Sequence, residues 1–262
     1  MVMNQGLLID MDGVIYIENN MIPGADKFIK TLLKEDVPFT FMTNNSQRSP
    51  LDGVKKLAKM GIYVEERHVY TSAMATGHFL ASQFPGGTAM VLGEGGLIKS
   101  LHDNGIDIVQ NEPDMVVVGE GIAFTLEMVR SAIDCILGGA KLIATNLDAT
   151  PRKKGWNNLG IAAVIAMIEE ATGNKAFSVG KPSPVMMRQA RKHIGLATDQ
   201  VTVIGDTMAT DIQGGVSVGY KTILTLSGMT KREQLNDYAF KPDLIINSIK
   251  DLELPLEWWA KK

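Results

Sequence analysis

The chain has 262 residues, 45% hydrophobic and 21% charged, a balance that excludes a disordered or low-complexity polymer and leaves room for one large domain or two modest ones. Its net charge is −3, with basic residues spread along the chain, which excludes the basic stripe of a protein that binds nucleic-acid polymers. The single cysteine, Cys135 in the apolar stretch SAIDCILGG, excludes an internal disulfide and a cysteine-based metal cluster, and is expected to be a small buried hydrophobe.

No apolar run approaches the ~18 residues of a membrane span, and the chain reaches the strand-like LLID too soon for a signal peptide, so a cytoplasmic protein with no membrane partner is expected. Short runs rich in Val, Ile, Leu and Thr alternate with stretches of helical period, the pattern of a parallel sheet flanked by helices. In chain order the predicted strands are 7–10, 39–43, 69–72, 89–93, 115–119, 141–145, 177–180, 201–206, 222–226 and 244–247. Ten strands is many for one sheet, and the three between Ala89 and Thr145 are read as a second sheet in an inserted domain. The fold expected is α/β, a doubly wound parallel (Rossmannoid) core at 1–78 and 179–262 with an inserted α/β domain at 79–178.

Within the insert, VLGEGGLIKSL and VVGEGIAFTLEMV both read as strand, Gly-Glu-Gly turn and helix. The first lacks the last glycine of the G-x-G-x-x-G dinucleotide fingerprint. A P-loop fails too, because Gly180-Lys181 runs into Pro182 where Ser or Thr is needed, and Lys175 stands where its first glycine belongs.

Polar residues gather past the ends of the first, second, seventh and eighth strands, the edge at which open parallel sheets bind ligands. Asp10 and Asp12 close LLIDMDGV, two residues apart, and Gly13 lets the chain turn sharply. Paired carboxylates raise each other's pKa unless a cation neutralises them, and Mg²⁺ suits that role. Asp206 and Asp211 of GDTMATDI bring two more acids, so four are expected to converge on one edge. Thr43 and Asn44 of FMTNNS offer a hydroxyl and backbone N–H groups to phosphate oxygens, and Lys181 of SVGKPS adds a compact positive charge. Each alone reads as a turn or a helix cap; in this order they supply a nucleophile, a metal site, a cation and oriented donors, the parts of phosphoryl transfer.

In the order LLIDMDGV, TNNS, VGKPSP, VIGDTMATDI, these motifs resemble the four motifs of the haloacid dehalogenase (HAD) superfamily, in its NagD-like branch with a large α/β cap, over essentially the whole chain. The resemblance implies a phosphatase in which Asp10 is the nucleophile and becomes an aspartyl-phosphate. Asp12 would protonate the leaving oxygen and then activate water. Mg²⁺ would be held by the Asp10 side chain, the Asp12 backbone carbonyl and Asp206, with Asp211 in support, and Thr43, Asn44 and Lys181 would bind the transferring phosphoryl group. A carboxylate at Asp12 argues against dehalogenation, since a halide needs no acid to leave.

Substrate choice is expected from the cap, where the turn Thr145-Asn146-Leu147-Asp148 singles out Asn146 and Asp148, against the reading of a plain structural turn. The basic loop 151–156 reads as solvated, with base recognition as its alternative. His68, His78, His102 and His193 lack a spacing suited to zinc, and Trp258 and Trp259 are expected to pack on the core. The substrate expected is a nucleoside monophosphate, with sugar phosphates, phosphoglycolate or p-nitrophenyl phosphate as alternatives. A phosphorylatable receiver-like domain is the reading of another class, disfavoured by Asp12 and the insert, and a catalytically silent module that kept the fold is disfavoured by the intact acids at the motif positions. A homo-oligomer is left open.

Overall fold

Runs of apolar residues with no polar alternation form strands covered on both faces, as parallel sheets require, and Gly6–Ile9 is buried throughout. The computed structural model describes residues 5–121, 123–149 and 160–253. The chain opens with β1 (Gly6–Ile9), a hairpin of β2 (Tyr16–Ile17) and β3 (Asn20–Met21), α1 (Ala25–Lys34), β4 (Phe39–Thr43), α2 (Pro50–Ala58) and β5 (Val69–Thr71). It continues through α3 (Ser72–Gln83), β6 (Thr88–Leu92), α4 (Gly96–Asp103), β7 (Asp107–Ile108), β8 (Met115–Val118), α5 (Leu126–Leu137), β9 (Lys141–Ala144), α6 (Ile161–Thr172) and β10 (Phe177–Ser178). Last come α7 (Pro184–His193), β11 (Val201–Gly205), α8 (Gln213–Val218), β12 (Lys221–Thr225) and β13 (Leu244–Ile246).

Contacts divide the chain into two units. The first takes in the chain up to Thr43, Gly53–Tyr70 and the part from Met187 onward; the second is Asn44–Asp52 and Thr71–Met186. The first holds a six-stranded sheet in the order β13-β12-β11-β1-β4-β5. Its pairings from β13 to β4 are parallel. Strand order reverses between β1 and β11, so a topological switch point lies at the C-terminal ends of those two strands, where open α/β sheets bind ligands. Helix α1 covers the sheet with Ala25, Phe28, Ile29 and Leu32, spaced for one helical face, and joins a core that includes Leu7, Ile9, Phe41 and Ile204.

The second unit holds a five-stranded parallel sheet, β10-β9-β8-β6-β7. Helix α5 is capped by Thr125, whose Oγ1 accepts the Met128 N–H at 3.2 Å, and buries Val129, Ala132 and Ile136. Helix α6 buries Ile161, Val164, Ile165 and Ile168 and ends at Gly173 in the left-handed region. The two strand–glycine–helix segments noted in the sequence are β6 to α4 and β8 to α5. A Cβ at Gly96 would lie 2.5 Å from the Arg48 carbonyl oxygen, so that loop is packed by the chain itself instead of cradling a cofactor.

All ten predicted strands are present, together with three two-residue strands, β2, β3 and β7, too short to carry a pattern. The seventh predicted strand, assigned to the core by the expected 179 boundary and by the polar residues at its end, is β10, and it pairs with β9 of the second sheet. The contact division places the limits of the large insert at Thr71 and Met186, where the sequence suggested 79 and 178. The earlier start reflects α3 packing on α4, and the later end reflects β10 joining β9. No helix among the described residues is long and apolar enough to cross a membrane.

Candidate active site

Two clusters of polar side chains lie at the C-terminal ends of the two sheets, one in each unit. In the first unit, β1 and β11 run side by side with Ile9 opposite Ile204, and the Asp10 N–H continues the ladder onto the Ile204 carbonyl at 2.8 Å. Asp10 and Asp206 therefore leave adjacent strands at the switch point, and Asp211 returns to them from a wide π-type turn, Met208–Ile212. All three are buried, and one carboxylate oxygen from each lies within 4.8 Å of the others. At that spacing ionised carboxylates repel by about 3 kcal/mol per pair at an effective dielectric of ~20. A hard divalent cation among them reverses the sign, and an all-oxygen donor set of this kind fits one.

The scaffold shapes this cluster closely. Asp206 takes the Met229 N–H at 2.6 Å and the Thr207 hydroxyl at 2.9 Å. Asp211 takes the Thr207 N–H at 3.3 Å. Gly13 has φ +78°, and a Cβ there would overlap the Asp206 carboxylate; a Cβ at Gly205 would overlap Asp211. Glycine at these two positions leaves the acids the volume they occupy.

Of the four acids expected at this edge, three gather into one cluster. The Asp12 side chain stands apart because β1 ends at Ile9, so strand alternation does not carry through to it. Asp12 is exposed in the following turn, and its Oδ2 accepts the Tyr16 hydroxyl at 3.3 Å. The Lys56 ammonium sits 3.5 Å from the centre of the Tyr16 ring. Thr43 ends β4, the neighbour of β1 on the side away from β11.

In the second unit the sequence-predicted residues Asn44, Asn146, Asp148 and Lys181 share one network. The Asn44 side chain accepts the Lys181 N–H at 2.8 Å and donates to the Lys181 carbonyl at 3.1 Å and to Asp148 at 2.9 Å. Its backbone carbonyl takes the Ser72 hydroxyl at 2.5 Å and the Asn146 amide at 2.8 Å. Asn146 is fully buried, and its Oδ1 accepts the Asp148 N–H at 2.9 Å. Lys181 is 4% exposed.

Sequence reasoning missed Glu120, which follows β8 in the Gly-Glu-Gly turn. One of its oxygens takes both the backbone N–H (2.5 Å) and the hydroxyl of Ser46, and the other takes the Asn146 amide at 2.9 Å. Burial pushes its carboxyl above the ordinary value, against the pull of those hydrogen bonds. The only signal was an acid just past a buried strand, the same signal that marked Asp10 and Asp206.

The basic loop 151–156 and Trp258 and Trp259 lie outside the described residues. No histidine belongs to a metal-binding group among the described residues. His68 stacks on Phe39, and burial lowers its pKa. Cys135 is half-buried beside Met90, and burial raises its thiol pKa.

Two family models match the chain: a haloacid dehalogenase-like hydrolase model over residues 7–107 and a HAD-hydrolase-like model over 178–252. The chain is 41% identical over 252 residues to the dihydroxyacetone phosphatase of Corynebacterium glutamicum (strain R), covering 96% of this chain and 92% of that one. It is 34% identical to the ribonucleotide monophosphatase NagD of Escherichia coli K12, with 95% and 98% covered. A thermostable NPPase from Geobacillus stearothermophilus, crystallised as a double mutant, superposes with a TM-score of 0.90 at 34% identity, covering 97% of this chain and 99% of that one. Similarity of this extent, over the chain that carries the buried acid cluster, places the protein among the haloacid dehalogenase-like hydrolases, in their NagD-like phosphatase branch.

Proposed function

We propose that the protein hydrolyses small phosphate monoesters in two steps through an aspartyl-phosphate on Asp10. The observation that carries this reading is the buried triad Asp10, Asp206 and Asp211 at the switch point of the first sheet. A carboxylate oxygen of Asp10 attacks phosphorus as the ester P–O bond breaks, and Asp12 gives its proton to the leaving oxygen. Asp12, now a carboxylate, takes a proton from the water that attacks the phosphorus of the acyl-phosphate, releasing orthophosphate and restoring Asp10. Asp12 suits this part because it is exposed and held by the Tyr16 hydroxyl, outside the acid triad.

Mg²⁺ is the proposed cofactor, held by Asp10, Asp206 and the Asp12 backbone carbonyl with Asp211 in support. When bound it neutralises charge on the acids and on the phosphoryl oxygens. The Thr43 hydroxyl, the Asn44 backbone N–H and the Lys181 ammonium are assigned to those same oxygens. The insert, read as 79–178, is assigned the choice of ester, and a cytoplasmic location belongs to the same reading.

Nucleoside monophosphates are the substrate class expected from the sequence. The 41% identity to a dihydroxyacetone phosphatase favours a second reading, a short phosphorylated ketone. Phosphate release from nucleoside monophosphates, dihydroxyacetone phosphate, sugar phosphates, phosphoglycolate and p-nitrophenyl phosphate, with Mg²⁺ or EDTA, separates them. Release that needs Mg²⁺ and is lost in Asp10→Asn supports the mechanism, and the preferred ester names the substrate class. Full activity in Asp10→Asn would refute it.

A further inference from the structure

We infer that Glu120 is a positioning residue for Lys181, acting through Asn146 and Asn44, and that the Asn44 side chain is the clip on the Lys181 backbone instead of a ligand for phosphate. This deepens the proposed function, because it rests on Lys181 holding the phosphoryl group.

Strand β10 is the edge strand of its sheet and only two residues long. Its ladder onto β9 runs on past the strand, with the Val179 N–H on the Ala144 carbonyl at 2.9 Å and the Gly180 N–H on the Thr145 carbonyl at 2.8 Å. At Lys181 the partner strand has turned away into the Thr145–Asp148 turn. The Asn44 side chain takes its place, accepting the Lys181 N–H and donating to the Lys181 carbonyl as a paired peptide group does. Gly180 admits it: a Cβ there would lie 2.7 Å from Asn44 Oδ1 and 2.9 Å from the Asn146 Cβ. The Oδ1 and both protons of Nδ2 are therefore committed within the protein, the second proton going to Asp148. That leaves the side-chain amide no donor for a phosphate.

The clip is in turn held on both sides by Glu120. One carboxylate oxygen grips Ser46, two residues beyond Asn44, by its N–H and hydroxyl. The other grips the Asn146 amide, whose remaining proton goes to the Asn44 carbonyl. Ser46 Oγ also accepts the Glu120 N–H at 2.9 Å and the Thr145 hydroxyl at 3.1 Å, so the donor directions are set all round. Three donors meet two carboxylate oxygens, an arrangement only an acceptor-only side chain completes. Glutamine has the same shape but turns an NH₂ onto either Ser46 or Asn146. Asn146 cannot flip in response, because its Oδ1 already accepts from Asp148.

The test is a double-mutant cycle on the full chain with p-nitrophenyl phosphate as substrate and inorganic phosphate as competitive inhibitor, using Glu120→Gln, Lys181→Ala and the pair. Glu120→Gln is expected to lower kcat and weaken phosphate inhibition by about tenfold each, the worth of one buried hydrogen bond to a charged group. In the Lys181→Ala background the same change is expected to cost less than about twofold, since the group it positions is gone. Effects that multiply in the pair, or a lowered melting temperature with an unchanged phosphate inhibition constant, overturn the relay. If Lys181→Ala loses phosphate affinity while Glu120→Gln keeps it, the relay fails and the phosphatase reading stands. Wild-type constants in Lys181→Ala remove both the relay and the phosphoryl-binding role of Lys181. If Glu120→Gln does not fold, Ser46→Ala removes a donor to the same carboxylate and takes its place in the cycle with the same expectations.

Discussion

The two sheets are alike at one edge and opposite at the other. At the N-terminal edge each carries the same clasp: Asp114 takes the Thr88 N–H and hydroxyl at 2.8 and 3.0 Å, and Asp243 takes those of Thr222 at 3.0 and 3.1 Å. Both aspartates follow a proline and precede a strand. At the C-terminal edge the first sheet brings three carboxylates within 4.8 Å of one another. The second spreads its acids out and supplies each with donors: Glu94 takes Gln47 and Ala123, Glu120 takes Ser46 and Asn146, and Asp148 takes Asn44. The contrast shows that a carboxylate past a buried parallel strand is not in itself a catalytic signal. Acids at both edges accept protein donors, and what separates the two edges is that the first crowds three carboxylates within 4.8 Å of one another.

The largest expected effect comes from Asp10→Asn. Phosphate release should fall by more than about a thousandfold, because the proposed nucleophile is gone. In EDTA the same variant should melt no lower than the wild type, since one of three crowded charges has been removed. A clear fall in its melting temperature would mean that the protein donors around the triad outweigh the repulsion among its carboxylates.

Metal sharpens the same contrast. Mg²⁺ at about a hundred times its dissociation constant should stabilise the wild type by about 2.7 kcal/mol, read as a rise in melting temperature. Asp206→Asn should lose most of that rise, whereas Asp148→Asn, outside the crowded triad, should keep it. Gly205→Ala should come next, weakening Mg²⁺ activation by about tenfold, because its Cβ displaces Asp211 without altering any acid. Activation at the wild-type metal concentration would show that Asp211 does not act in the metal site.

The smallest effect belongs to the clasps. Hydrogen bonds from Lys221 and Thr222 outweigh the burial of Asp243 and hold its carboxyl below the ordinary value. A lowered folded-state pKa gives stability that is present above the unfolded value and lost as pH falls through the folded one. Asp243→Ala should therefore cost about 1 kcal/mol at neutral pH, kept small by solvent screening, and almost nothing in strong acid, as urea titrations at the two pH values would show. An equal loss at both would assign the effect to packing.

Much of the architecture was legible in the sequence. The ten predicted strands follow from apolar runs bounded by turn residues, and the family from four motifs in order. Asp10 and Asp206 were each recognisable because both close such a run. Less visible was the company each residue keeps. The repeated Pro-Asp before β8 and β13 is in the sequence, but its meaning depends on a threonine on the neighbouring strand, 26 residues back in one case and 21 in the other.

By itself the sequence determined which segments are strands, which acids end them and which chemistry they suit, because strand period and buried runs are local properties of the chain. Only the tertiary structure decided that Asp211 joins Asp10 and Asp206 while the Asp12 side chain stands apart. It likewise decided that Lys181 leaves the edge of the second sheet, and that Asn44 spends its amide on the backbone of Lys181, 137 residues away. These outcomes depend on which strands become neighbours and on the direction of each hydrogen bond, and neither is written in the spacing of residues along the chain.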